Sequence, residues 1–126
     1  MRRDSLLEAV ARDIPELYRF AHAAYSNCPL LRYGSNIIRS EEGTQQGDPL
    51  DSLEFCLVLQ PVLVKLRSDL RIGYLDDLTL GGSKETVAAD VHLIEQESKK
   101  LGLLLNRSKC EIACHHKILR TFPSRR

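Results

Sequence analysis

The stretch Arg71-Ile72-Gly73-Tyr74-Leu75-Asp76-Asp77-Leu78-Thr79-Leu80 decides how the chain is read. Its β-branched and aromatic residues suit a pleated, half-buried backbone, and Asp76-Asp77 interrupts them midway. The pattern predicts two short antiparallel strands around a tight turn, with both carboxylates at that turn. Neighbouring carboxylates repel unless a cation sits between them, and a hard divalent cation takes oxygen ligands. The same pair is at home in an ordinary surface turn, because Asp bonds its own backbone there. Its setting favours the first reading: Tyr74 and Leu75 before it and Leu78 after it would anchor both strands and hold the carboxylates at a fixed place on a sheet edge.

Upstream, Gly43-Thr44-Gln45-Gln46-Gly47-Asp48-Pro49-Leu50 is a polar, glycine-bracketed loop leading into a helix. Glycine lets a ligand approach the backbone, Gln46 can bond a sugar or base edge, and Asp48-Pro49 suits a helix start; a plain capped loop has the same composition. Leu50, Leu53, Leu57 and Val64 fit one helical stripe over 50–66, with Pro61 expected to kink or end it. Nearer the N-terminus, Leu6, Leu7, Val10, Ile14, Leu17 and Tyr18 predict two short helices that break at Asp13 and Pro15. Residues 31–33 and 37–39 around Gly34-Ser35-Asn36 predict a hairpin. Downstream, Val87, Val91, Ile94, Ser98 and Leu101 form a helical seam started by Ser83 and stopped by Gly102. Residues 103–105 and 110–113, parted by Asn106-Arg107-Ser108, predict a last hairpin.

These elements predict an α+β fold, a small antiparallel sheet packed against helices, in one domain over residues 1–113, with 114–126 as a basic tail that either touches phosphate or is disordered. The 126 residues, 43% of them hydrophobic, suffice for one core. A net charge of +1 gives no global field for a polyanion, so any nucleic-acid contact must be local. The longest apolar run, near Leu57 to Val64, is interrupted by Gln60 and Pro61, which argues against a membrane span. Arg2, Arg3, Asp4 and Glu8 argue against a signal peptide. Cys28, Cys56, Cys110 and Cys114 are too sparse for a disulfide scaffold, so an intracellular, reducing compartment is expected, nuclear or cytoplasmic.

Gln46-Gly47-Asp48-Pro49, followed 28 residues after Asp48 by Tyr74-Leu75-Asp76-Asp77, resembles the palm of reverse transcriptases of non-LTR (LINE-type) retrotransposons. Gly102-Leu103-Leu104-Leu105-Asn106 with Lys109-Cys110-Glu111 is similar to the next motif of that family, and Arg2-Arg3-Asp4 with Leu6-Leu7 to the helix after its first catalytic aspartate. The resemblance implies a polymerase-palm-like fold and RNA-directed DNA polymerisation on an RNA template and DNA primer, with two Mg²⁺ ions. It implies Asp76 and Asp77 as catalytic metal ligands, Tyr74 near the primer end or incoming nucleotide, Gln46 and Gly47 lining the nucleotide pocket, and Lys109 assisting pyrophosphate release.

The chain departs from the family in places. The strand bearing the first aspartate, the fingers and the thumb have no counterpart, so the palm is expected to be incomplete and inactive alone. Asp51, Ser52 and Glu54 stand where the family has a small residue, a proline and an apolar residue. Glu54 is the costly one, because that helix packs on the sheet and an unpaired buried carboxylate is destabilising. The rival reading is a non-enzymatic remnant that binds a protein or nucleic acid through the uncovered sheet face, or a relic without function. A zinc site from Cys110, Cys114, His115 and His116 is disfavoured, since one strand cannot turn all four inward. His22 and His92 lack sequence partners and read as satisfied or solvated.

Overall fold

A computed structural model describes residues 1–45 and 47–114, together with the backbone of 117–119. The fold is α+β, with helices packed against small antiparallel sheets. Helix α1 (Arg3–Asp13) carries Asp4 in its first turn and Arg12 in its last, each complementing the helix dipole, and buries Leu6, Ala9 and Val10. It ends at Ile14 because a residue before proline is pushed out of the helical region. A 3-10 turn at Pro15–Leu17 restarts the chain into α2 (Tyr18–Tyr25), giving the expected pair of helices. Strands β1 (Leu30–Tyr33) and β2 (Asn36–Arg39) form the expected hairpin, with Tyr33 opposite Asn36.

Helix α3 (Asp51–Leu63) is where the sequence reading and the structure part company. Its buried line is Glu54, Val58 and Val62, continued by Leu66, while Leu53 and Val64 of the expected stripe are exposed. The helix is apolar around most of its circumference, so the pattern could not fix its phase; packing against α1 did. Pro61 stands in the last turn, and the helix stops two residues later.

Strands β3 (Leu70–Tyr74) and β4 (Asp77–Gly81) form the second hairpin. Its inner side sets Leu78 and Leu80 against Val62, Leu66 and Ile94, a second core cluster beside that of Leu6, Ala9, Val10, Ala21, Tyr25 and Val58. Leu101 touches both clusters. Helix α4 (Lys84–Lys100) is capped by Ser83, whose Oγ accepts the Thr86 N–H at 3.2 Å. It closes with a paired return: Leu103 N–H donates to Ser98 O at 2.8 Å and Gly102 N–H to Lys99 O at 3.1 Å, around Gly102 at φ +71°. From the buried face of α4, Asp90 accepts Arg67 N–H at 2.9 Å, Ser68 N–H at 2.7 Å and Ser68 Oγ–H at 2.6 Å, fixing the link between α3 and β3.

The last hairpin forms from different partners than expected. Residues 103–105 are not a strand. Asn106 Oδ1 accepts Ser108 Oγ–H at 2.7 Å and Ser108 N–H at 3.2 Å, coiling Arg107–Lys109 into a 3-10 turn that cannot serve as a hairpin loop. Strand β5 (Ile112–Cys114) pairs instead with β6 (Lys117–Leu119), drawn from the stretch read as tail. His115, His116, Arg120, Arg125 and Arg126 lie outside the described residues.

Candidate functional site

Tyr74 pairs with Asp77 across the β3–β4 ladder, so the turn consists of Leu75 and Asp76 alone. Only Asp76 therefore sits in the turn; Asp77 opens β4, which corrects the expectation that both carboxylates share the loop. Leu75 adopts φ +53°, a conformation normally left to glycine and costing a bulky residue roughly 1–2 kcal/mol. Two-residue hairpins need positive φ to match the twist of their strands, and the turn accepts that cost to hold its register. Side chains alternate along the strands. Tyr74 and Asp77 consequently share the outer face of the hairpin with Leu70, Ile72 and Thr79, away from the core contacts of Leu78 and Leu80. Tyr74 is 74% exposed.

Asp76 faces elsewhere. With Leu75 it lines a shallow cleft completed by Asp51, Ser52 and Phe55 from the first turns of α3. The other sequence motif ends at the same place, because the loop of residues 43–49 runs directly into that helix. Asp48 Oδ1 accepts the Leu50 N–H at 2.8 Å, but the helix begins only at Asp51 with Leu50 at its N-cap and no side-chain cap, so Asp48-Pro49 precede the first turn instead of capping it. Gly47 is exposed at φ +90° with open space where a side chain would be, leaving its backbone accessible. Gln46 lies outside the described residues. Lys109, exposed at the end of its 3-10 turn, is not among the residues lining the cleft.

Behind the loop lies a polar network that the sequence did not disclose. Tyr25 Oη–H donates to Asp48 Oδ2 and accepts the Gln45 N–H at 3.2 Å. Thr44 Oγ1–H donates to Asp51 Oδ1. The Arg3 guanidinium lies 5.5 Å from the centre of the Tyr25 ring and donates to Gly43 O at 3.2 Å, Asn27 O at 3.1 Å and Ser40 Oγ at 2.8 Å. Burial, and then the bond to Asp48, push the Tyr25 hydroxyl up to about 12. These contacts join residues up to 40 positions apart in the chain, and no local pattern announces them. The one signal available was Glu54, and it holds: Glu54 is 2% exposed and neither of its carboxylate oxygens has a hydrogen-bond partner.

No family model matches the chain, and no curated protein or solved structure matches it. The site must speak through its own residues. Magnesium takes near-octahedral oxygen coordination, usually from one or two carboxylates completed by waters and substrate phosphates. Among the described residues, no group of three or more His, Cys, Asp or Glu side chains is placed to hold a metal ion. Asp76 and Asp77, one in the turn and one in the ladder, do not by themselves make the shared two-ion set that the resemblance implies. What they offer is an exposed pair of negative charges at the tip of a hairpin whose outer face is apolar and aromatic.

Proposed function

We propose that the chain is a reverse-transcriptase-type palm module of retrotransposon lineage that engages a primed RNA template without extending the primer on its own. One observation carries this reading. The turn bearing Asp76 lies across a cleft from Asp51, Ser52 and Phe55 of α3, the helix into which the loop containing Gly47 runs. The exposed Gly47 backbone, the Asp76 carboxylate and the exposed Tyr74 ring are groups of the kind a nucleotide site draws on, the tyrosine as a stacking platform. The polymerisation itself is assigned to the lineage and not to these residues, since Asp76 and Asp77 do not complete a two-ion site.

The test uses the purified chain with a labelled DNA primer annealed to RNA, the four nucleotides, and Mg²⁺ or Mn²⁺. Binding is expected by fluorescence anisotropy, weakened by Tyr74→Ala, with no product from extension. Extension abolished by Asp76→Asn would overturn the claim of inactivity, and absence of binding would overturn the palm reading.

A second reading has its own support. The outer face of β3–β4 presents Leu70, Ile72 and Tyr74 to solvent, and all eight strand residues of β1–β2 are exposed. Contiguous apolar surface of this kind marks interaction sites, which favours a non-enzymatic binding module. A chain that stays monomeric by light scattering and binds no primer-template counts against it.

A further inference from the structure

Among the described residues, Glu54 is the side chain whose buried polar atoms find no hydrogen-bond partner. It lies in phase with Val58 and Val62 on the buried side of α3, with both oxygens unpartnered. The groups facing it are predominantly acidic. Asp48 and Asp51 lie immediately before it in the chain, and both act on it electrostatically. From α2 comes Tyr25, whose hydroxyl feels Glu54 in return. From α1 comes Arg3, whose guanidinium is engaged by Gly43, Asn27 and Ser40. On α4 the groups toward α3 are Glu97 and Lys100; Glu97 pairs with both Lys100 and Lys65, the latter just past the end of α3 and about three helical turns from Glu54. No cation among the described residues pairs with Glu54.

Asp48 and Asp51 are also the two groups that latch the loop. Asp48 holds Tyr25 and the Leu50 N–H, Asp51 holds Thr44, and Tyr25 in turn holds the Gln45 N–H. Anything that drives these two carboxylates apart pulls on these same bonds.

We infer that Glu54 is a protonation switch for the loop residues latched by Asp48 and Asp51, namely Thr44, Gln45 and Asp48 to Leu50. As the neutral acid, Glu54 lets Asp48 and Asp51 remain where they hold Tyr25 and Thr44. When its proton leaves to bulk water, three carboxylates stand against one another at the start of α3 with no cation among the described residues paired to Glu54, and the loop is released. Burial, followed by Asp48 and Asp51, pushes Glu54 up to about 7, which places the transition near neutrality. The switch is a property of this loop and its neighbours and operates whether or not the loop meets a nucleotide.

The experiment follows the amide protons of Gln45 and Leu50 by NMR hydrogen exchange from pH 5 to 8.5, corrected for intrinsic exchange rates. In the unmodified chain their protection is expected to fall at least about tenfold as pH rises toward about 7 and to level off above it, as linkage to one ionisation predicts. Glu54→Gln is expected to hold protection flat across the range. Asp48→Asn removes one facing charge and is expected to move the Glu54 midpoint, read directly from its carboxyl carbon shift, to lower pH. Protection that is flat in the unmodified chain, or that falls equally in Glu54→Gln, overturns the switch. Should Glu54→Gln fail to fold, a Glu54 midpoint that Asp48→Asn leaves unmoved does the same. Amide protection is blind to polymerase chemistry and to nucleic-acid binding, so failure here and failure of the palm reading are separate results.

Discussion

At the scale of single residues, the buried, unpartnered Glu54 carboxylate is an internal cost, and it has a definite sign. Its folded-state value of about 7 stands above the ordinary carboxylate range, so the folded state prefers the neutral acid. The stability it leaves intact is fully present below about pH 4.5 and is lost as pH rises through about 7. Glu54→Gln keeps the shape and removes the charge. It is expected to raise the unfolding free energy by about 3 kcal/mol at pH 8 and by less than about 1 kcal/mol at pH 5, measured by urea denaturation at both values. An equal effect at the two pH values would show that the charge is not the cause. Gly102 carries the opposite kind of expectation. At φ +71° it terminates α4, and a Cβ there would stand 2.8 Å from Arg2 Cγ and 3.1 Å from Arg2 N. Arg2 N–H bonds Leu101 O at 2.9 Å, so the neighbour is held and cannot move aside cheaply. Gly102→Ala should cost about 1–2 kcal/mol by thermal or chemical denaturation, with α1 and α4 loosened together.

At the scale of elements, the sequence was informative wherever a local rule acts alone. Pro15 marked the break between α1 and α2, Ser83 and Gly102 bounded α4, and the residues around Asp76 marked the β3–β4 hairpin to within a residue at each end. It was ambiguous where tertiary contacts choose between local options. The phase of α3 is one such case, since Leu53, Leu57 and Val58 are all apolar and only the partner helices select which side is buried. The final hairpin is another, because Asn106 can end a strand or cap a turn, and its bonds to Ser108 settle it as a cap. Asp90 shows the same limit within the best-read helix: Val87, Val91 and Ile94 marked the seam, but nothing in sequence paired Asp90 with Arg67 and Ser68, more than 20 residues away. Those bonds, with Arg71 nearby, outweigh its burial and hold Asp90 below the usual carboxylate value. Its contribution is therefore present above that value and is lost as pH falls through the lowered one. Asp90→Ala leaves the Arg67 and Ser68 donors unpaired and should destabilise the fold by about 3 kcal/mol near neutral pH. Exchange protection should fall first at Ser68 and along β3; uniform loss over the molecule would show that Asp90 is not a local clamp.

At the scale of the whole molecule, the described strands form three separate two-stranded ribbons in place of one continuous sheet. A lone hairpin is marginal in water, and its stability must come from what it packs against. The β3–β4 ribbon has such support on one side, where Leu78 and Leu80 meet Val62, Leu66 and Ile94, and, among the described residues, none on the other, where Leu70, Ile72 and Tyr74 are exposed. The candidate site sits at the tip of this half-supported ribbon, which explains why its two motifs were legible while its surroundings were not. The motifs are local sequence, whereas the ribbon's outer face depends on whatever covers it. Exposed apolar strands with free edges are templates for association. Near neutral pH the net charge of +1 supplies little repulsion to oppose that. Sedimentation at rising protein concentration is accordingly expected to show reversible self-association, suppressed by Ile72→Lys on the exposed face and not by Lys99→Glu on the far surface of α4. If Ile72→Lys leaves the concentration dependence unchanged, the outer face of β3–β4 is not the surface that associates, and the exposed β1–β2 ribbon, with Leu31, Tyr33 and Ile38 on one side, becomes the next place to introduce the charge.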